Sequence, residues 1–337
     1  MNQEKKEDKI TYFHRHPKAG FSIDKVSQTY IREIEKKWNV RQFYVPCYRA
    51  TLVACLRNVI FIFLHRDKNG INHITGDIHY GVLALVGCKS VLTVHDIYGM
   101  KNNKNAVKKL ALYLFWYKIP LLLASEITCI SEKTKKELLK MTKRDINVIY
   151  NAIAPSFLPV QKEFNKEKPI VLHIGTGLRK NLINTALALC CITCHFRVIG
   201  KLSLEQKSIL EKNNIDYSEQ YGLTDREIVI EYINCDIVSF CSLSEGFGMP
   251  VIEANAVGRA VLTSIIEPMT EIADKNSVLF VDPKNIDDIR DGFLSIINDD
   301  ILRNNLIQGG YKNIGRFNIN YITNKYFELY SMLLYQN

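Results

Sequence analysis

At 337 residues, with 47% hydrophobic side chains and only 17 Gly and 9 Pro, the chain is long and apolar enough for two ordinary domains, which excludes a disordered or low-complexity polymer. Its net charge of +9 is unevenly spread: residues 1–154 carry 26 Lys and Arg against 13 Asp and Glu, and the remainder carries 18 against 22. A basic half points to an anionic partner; no Arg-rich tract supports nucleic acid, and the aromatic residues sit in apolar runs rather than between basic ones.

The N-terminal run Met1-Asn2-Gln3-Glu4-Lys5-Lys6-Glu7-Asp8 is charged and leads into a strand rather than an apolar core, so no secretory leader is expected. Residues 9–13 read as the first strand, and Pro17-Lys18-Ala19-Gly20-Phe21-Ser22 as the loop that opens the first helix. Further on, a basic run over 101–109 precedes the apolar residues 110–124, which Lys118 and Pro120 interrupt. That stretch is shorter than the ~20 residues a bilayer span needs. It reads first as a helix packed under the sheet and leading into a strand over 126–130. A second, compatible reading is an interfacial helix whose lysines meet anionic lipid while Phe115, Trp116 and Tyr117 enter the headgroups.

Residues 151–159, with Pro155 and Pro159, lead into the polar stretch 161–168. We therefore expect a first domain over 1–154, a linker over 155–168, a second domain over 169–315 and a closing helical segment over 316–337. The second domain opens on a buried strand over 169–176 that ends in the turn at Gly175, and Arg179-Lys180-Asn181-Leu182 starts the next helix. Cys190, Cys191, Cys194 and His195 cluster in one short stretch with no second Cys/His pair at finger spacing, which weighs against zinc. The nine cysteines, an odd number lying mostly in apolar segments, fit reduced thiols in cytosol. Strand and helix patterns alternate almost unbroken, which predicts two doubly wound parallel α/β sheets.

The most informative run follows the apolar residues 236–242: Ser244-Glu245-Gly246-Phe247-Gly248-Met249-Pro250-Val251-Ile252-Glu253-Ala254-Asn255. Strand, glycine turn and Pro at the first helical position aim free N–H groups and a positive helix end at an anion. Gly246 and Gly248 allow the backbone to bend close to a ligand. Glu245 stays on the loop and Glu253 falls about one turn inside the helix. Two acids flanking an anion site suit the two ends of a nucleotide sugar.

This run resembles the E-x7-E signature of the retaining group 1 glycosyltransferases (glycosyltransferase family 4), whose fold is GT-B: two Rossmann-like doubly wound domains facing a central cleft. The resemblance implies that Glu245 contacts the donor sugar and Glu253 the ribose hydroxyls, with Gly246, Phe247, Gly248 and Met249 lining the donor. Gly175 matches the family's first glycine turn, and Lys180, with Arg179 second, matches the basic step that neutralises the diphosphate. Arg197-Val198-Ile199-Gly200-Lys201 looks like the second Gly-ended strand, and Tyr221 and Leu223 fall in the stretch that lines the base. In the first half, His73-Ile74-Thr75-Gly76-Asp77 and Val91-Leu92-Thr93-Val94-His95-Asp96 look like strand ends of the acceptor-side domain. His95 matches the histidine directed at the donor sugar, where ligands gather in open α/β sheets. Gly20 stands alone in a loop where many relatives have two glycines against the donor phosphates. The closing helix, 319–334, is expected to brace the first domain.

The function implied is metal-independent, retaining transfer of a hexosyl group from a UDP- or GDP-sugar to a glycan or lipid-linked acceptor. The setting implied is bacterial surface-polysaccharide assembly, in the cytoplasm or at the inner face of its membrane, with the basic half against anionic lipid. No Asp-x-Asp occurs in the sequence, so no metal-bridged diphosphate site is expected, and no cofactor is called for. A non-catalytic GT-B partner and a nucleotide-sugar epimerase are the rival readings.

Overall fold

The computed structural model of the chain describes residues 9–20, 22–97 and 106–335, with the side chains of 106–108 left out. Met1–Asp8, Phe21 and most of the basic run over 101–109 thus lie outside the described residues. The chain divides into two units, Met1–Ala152 with Asn318–Asn337, and Ile153–Phe317.

The first unit is built on β1 (Lys9–His14), β2 (Asn39–Tyr44), β3 (Ile71–Ile74), β4 (Lys89–Val94), β5 (Glu126–Cys129) and β6 (Asn147–Val148). They form one sheet in the order β2-β1-β3-β4-β5-β6, parallel throughout. Alternation along β1 sends Ile10 and Tyr12 into one core and Phe13 into the other. On the Ile10 side lie Tyr30, Ile31 and Ile34 of the helix Ser22–Glu35, with Ile322, Tyr326 and Tyr330 of the closing helix Ile319–Tyr335. A buried chain of polar groups ties that last helix to the sheet. Tyr12 and Tyr330 hydroxyls are 3.0 Å apart, His73 bonds Tyr330 through Nδ1 (2.6 Å) and Thr93 through Nε2 (2.7 Å), and Thr93 bonds Thr128 (2.6 Å). Burial pushes the His73 ring down to about 3, so it is a neutral packing group.

The other face carries the helix Leu52–His65 and the run 106–123, which is helical to Ala111, π-helical over Leu112–Lys118 and α-helical again over Ile119–Leu123. Tyr117 and Leu121 are buried here, as a helix under the sheet requires. The interfacial reading needs correction in its aromatics. Tyr117 is in the core, and Trp116 donates its indole N–H to Asp77 (2.6 Å) and packs edge-on to Tyr80. Phe115 is the one of the three left exposed.

The second unit repeats the plan with β7 (Ile170–Ile174), β8 (His195–Ile199), β9 (Tyr217–Gln220), β10 (Ile237–Phe240), β11 (Ala260–Ser264) and β12 (Leu279–Val281), in the order β12-β11-β10-β7-β8-β9 and parallel throughout. Short apolar strands such as IVSF and AVLTS, buried at every position, are what a sheet covered on both faces demands. Residues 155–168 belong to this unit. Val160 N–H bonds Val257 O, Lys162 pairs with Asp236, and Asp236 also accepts the N–H of Ile170 at 2.8 Å.

Candidate active site

Two loops at the carboxyl ends of the adjacent strands β7 and β10 bring most of the expected donor residues together. After β7 the chain turns at Gly175 (φ +94°), passes through the short 3-10 turn Leu178–Lys180 and reaches Asn181 in the left-handed region at φ 60°. Asn tolerates that conformation, and here its amide donates to Cys241 O (3.0 Å) and Pro283 O (2.6 Å). After β10, Leu243 N–H bonds Arg179 O at 2.8 Å, which fastens the two loops to each other.

Lys180 runs directly over Gly175. A Cβ there would lie 2.8 Å from Lys180 Cγ and 3.1 Å from Cε. Its Nζ lies 4.5 Å from the centre of the Phe240 ring and donates to Glu245 Oε1 at 2.6 Å. Both partners are partly buried, with side-chain exposures of 22% and 10%, so this is a held pair rather than a loose surface one. Beneath it, His173 on β7 is buried, and burial first, then the Lys180 charge, hold it neutral at about 3. Lys180 therefore has no second cation at its back.

The helix Met249–Val257 begins at Gly248, which caps it with φ +115°. Pro250 is its second residue rather than its first, a shift of one from the sequence reading. A Cβ at Gly248 would come within 2.9 Å of both Met269 and Ile272, so the close approach requires glycine. Phe247 is buried, its ring edge-on to Phe317 at 5.8 Å. Glu253 is 8% exposed and accepts the Tyr232 hydroxyl at 2.6 Å. Tyr232, on the helix Asp225–Asn234, was not singled out from sequence, because nothing local marks a tyrosine as the holder of an acid on another helix.

Tyr221 and Leu223 follow β9 at the sheet edge, two strands from β7. Tyr221 is exposed with Lys201 Nζ 5.8 Å from its ring centre, and Leu223 is half-buried before the Thr224–Glu227 capping box. The cysteine cluster is dispersed by its own contacts: His195 bonds Asp216 and Ser218, and Cys194 is buried. Among the described residues no three His, Cys, Asp or Glu side chains converge as a metal site.

In the first unit, His95 stands at the carboxyl end of β4 and bonds Thr75 O through Nε2 at 2.9 Å. A carbonyl can only accept, so Nε2 carries the proton and Nδ1 is the acceptor. Burial pushes the ring to about 4 despite that bond, so it is neutral. His79 bonds Trp116 O and is buried. Gly20 (φ +126°) lies against the Arg15 guanidinium, whose Nη2 a Cβ would approach to 2.9 Å. Arg15 was not marked by any motif.

Residues 156–313 match the family model "Glycosyl transferases group 1". The chain is 31% identical over 174 residues to the N,N'-diacetylbacillosaminyl-diphospho-undecaprenol alpha-1,3-N-acetylgalactosaminyltransferase of Campylobacter jejuni, covering 50% of this chain and 46% of that one. It spans about half the length of the curated relatives it matches. Among solved structures, sucrose-phosphate synthase from Thermosynechococcus elongatus superposes with TM-score 0.83 at 16% identity over 97% of this chain and 99% of that one. Anabaena Alr3699/HepE in complex with UDP-glucose gives 0.78 at 14%, over 96% and 99%. These likenesses show the GT-B fold of two Rossmann-like units, and the family match shows that residues 156–313, most of the second unit, are those of a group 1 glycosyltransferase.

Proposed function

We propose that the chain is a retaining, metal-independent glycosyltransferase that moves a sugar from a UDP- or GDP-sugar to a hydroxyl of a glycan or lipid-linked acceptor, in assembly of a bacterial surface polysaccharide. The observation that carries this reading is the set of charges that two adjacent loops and the following helix bring together. Lys180 is held on Glu245 at 2.6 Å, and Glu253 is buried a turn inside the helix that follows. A nucleotide sugar presents groups that match them: sugar to Glu245, diphosphate to Lys180, Arg179 and the helix start, ribose hydroxyls to Glu253.

Arrival of the diphosphate gives Lys180 a stronger anion to share, which loosens Glu245 and turns that carboxylate toward the sugar. As the bond from anomeric carbon to phosphate oxygen breaks, the same cations meet the growing negative charge, and Glu245 steadies positive charge on the sugar. The acceptor hydroxyl attacks from the face the phosphate leaves and gives its proton to that phosphate oxygen, so no protein nucleophile is needed. Neutral His95 serves as a hydrogen-bond acceptor through Nδ1 rather than as a cation.

The Campylobacter relative's undecaprenol-linked substrate and the UDP-glucose held by the Anabaena protein support these donor and acceptor classes. The basic first half suits an anionic membrane surface, where such an acceptor resides. The test is incubation with a panel of nucleotide sugars, with and without a polyprenyl-diphosphate-linked saccharide. Acceptor-dependent donor loss, with the donor's anomeric configuration kept in the product by NMR, is expected. Conversion of donor without acceptor would make it an epimerase. No binding and no consumption would make it a non-catalytic partner.

A further inference from the structure

Between the helix Leu182–Ala188 and β8 the chain makes one tight turn, closed by the Ile192 N–H on Leu189 O at 3.0 Å. Its two central residues are Cys190 and Cys191. Along an extended chain neighbouring side chains point to opposite faces. Here Cys191 takes φ +68°, and the two sulphurs lie 3.7 Å apart. That backbone region favours glycine or asparagine, so cysteine is the unexpected residue at this position. Cys190 is half-buried and Cys191 exposed, whereas Cys129, Cys194, Cys235 and Cys241 are buried.

Two thiols in contact, one of them open to solvent, are arranged for two-electron oxidation. Among the described residues no third His, Cys, Asp or Glu joins them as a metal site. A single oxidised thiol stops at a sulfenic acid until a second thiol resolves it, and Cys190 supplies that second thiol within reach. Rotation of the two side chains must close the 3.7 Å gap to the ~2.05 Å of a disulfide. Neighbouring Cα atoms are about 3.8 Å apart, below the ~4.4–6.8 Å that disulfides prefer, so the bond is a tight one that thiols readily reduce.

We propose that Cys190 and Cys191 form a reversible oxidative-modification site, whose oxidant is a hydroperoxide and whose product is a disulfide between neighbouring residues. The exposed Cys191 thiolate attacks one peroxide oxygen; an S–O bond forms, the O–O bond breaks, and the leaving oxygen takes a proton and departs as water. Contact with Cys191 raises the Cys190 thiol above its ordinary value, so Cys190 takes the second step. Its sulphur attacks the sulfenic acid, the S–S bond forms, and the S–O bond breaks to release a second water. In sum, two thiols lose two electrons and two protons, and one hydrogen peroxide becomes two waters. The turn precedes β8, at the amino ends of the second sheet's strands, whereas the loops of Lys180 and Glu245 follow β7 and β10 at the carboxyl ends. The site is therefore separate from the transfer reaction, and its test reads no turnover.

The experiment treats the reduced full chain with one equivalent of hydrogen peroxide, alkylates it with N-ethylmaleimide under denaturing conditions, and maps the peptides by mass spectrometry. The peptide carrying residues 190 and 191 is expected to escape alkylation at both positions and to be lighter by two hydrogens. It should react at least about tenfold faster than any other cysteine, and dithiothreitol should restore it. Cys190→Ser should stop at a Cys191 sulfenic acid that dimedone traps. Cys191→Gly, which suits the positive φ, should abolish the reaction with no loss in thermal melt. Cys194→Ser should leave the reaction unchanged. A pair that stays alkylatable while other cysteines oxidise would overturn the assignment. So would a disulfide to Cys194 or between two chains. Equal closure by the chain unfolded in urea would overturn it too, since the folded turn would then contribute nothing.

Discussion

Gly175→Ala isolates the feature that aims Lys180. The residue sits at φ +94°, where an L side chain costs about 1–2 kcal/mol. The added Cβ would stand 2.8 Å from Lys180 Cγ, a contact that must open by roughly 1 Å to reach ordinary carbon separation. Because the clash is near the base of the side chain, the whole lysine swings and Nζ leaves its 2.6 Å contact with Glu245. The unit should lose about 1–2 kcal/mol of stability, read as a melting temperature lower by about 2–8 °C. Donor affinity should fall with the charge-assisted bond to phosphate, about 1.5–3 kcal/mol or roughly 10- to 100-fold. Calorimetric titration of donor into Gly175→Ala, Lys180→Ala and the double variant gives the decisive comparison. The double variant should bind donor no worse than Lys180→Ala, because both changes remove one interaction. Wild-type affinity in Gly175→Ala, or losses that simply add, would refute the idea that this glycine acts through the lysine.

Other outcomes follow from the same geometry. Tyr232→Phe removes the 2.6 Å hydrogen bond that holds buried Glu253, and should weaken donor binding by roughly 10- to 100-fold at little cost to the fold, as read by calorimetry and melting. Asn181→Gly keeps the left-handed backbone but loses the bonds to Cys241 O and Pro283 O, whereas Asn181→Ala loses both and adds strain; denaturant unfolding should place the Ala variant about 1 kcal/mol below the Gly variant. His14 and His73 are buried and held neutral, at about 4 and about 3, while the unfolded chain titrates near 6.5. The unfolded state therefore binds more protons below pH ~6.5, so stability is full above that and is lost as pH falls toward 4, by up to about 1.4 kcal/mol per pH unit for each ring. Urea unfolding across that window should show the slope, and His73→Gln should reduce it by one ring's share, since His14, His95 and His173 are also held neutral.

The doubly wound plan was legible because it is written in local signals: apolar runs ending in glycine and helices opening after them. The acid-rich loop was legible for the same reason, since Glu245, Gly248, Pro250 and Glu253 are close in sequence. What sequence could not give is who touches whom. The Lys180–Glu245 contact spans 65 residues and depends on the backbone of Gly175 and the ring of Phe240, and Tyr232 reaches Glu253 from a different helix. Trp116 and Tyr117 looked like membrane aromatics because periodicity alone cannot say which face of an apolar helix is covered. The helix Leu52–His65, apolar but for Arg57, Asn58 and His65, was not singled out from sequence, and its outer face is exposed. Nor does the sequence show that the Phe247 ring packs edge-on to Phe317, 70 residues away.

The most direct test of donor binding at this site is calorimetric titration of UDP-, GDP- and ADP-sugars into the chain in EDTA, with Glu253→Ala as control. The proposed roles predict tight binding of one donor without metal, lost in the variant. Binding that survives Glu253→Ala, or none across the panel, would contradict them.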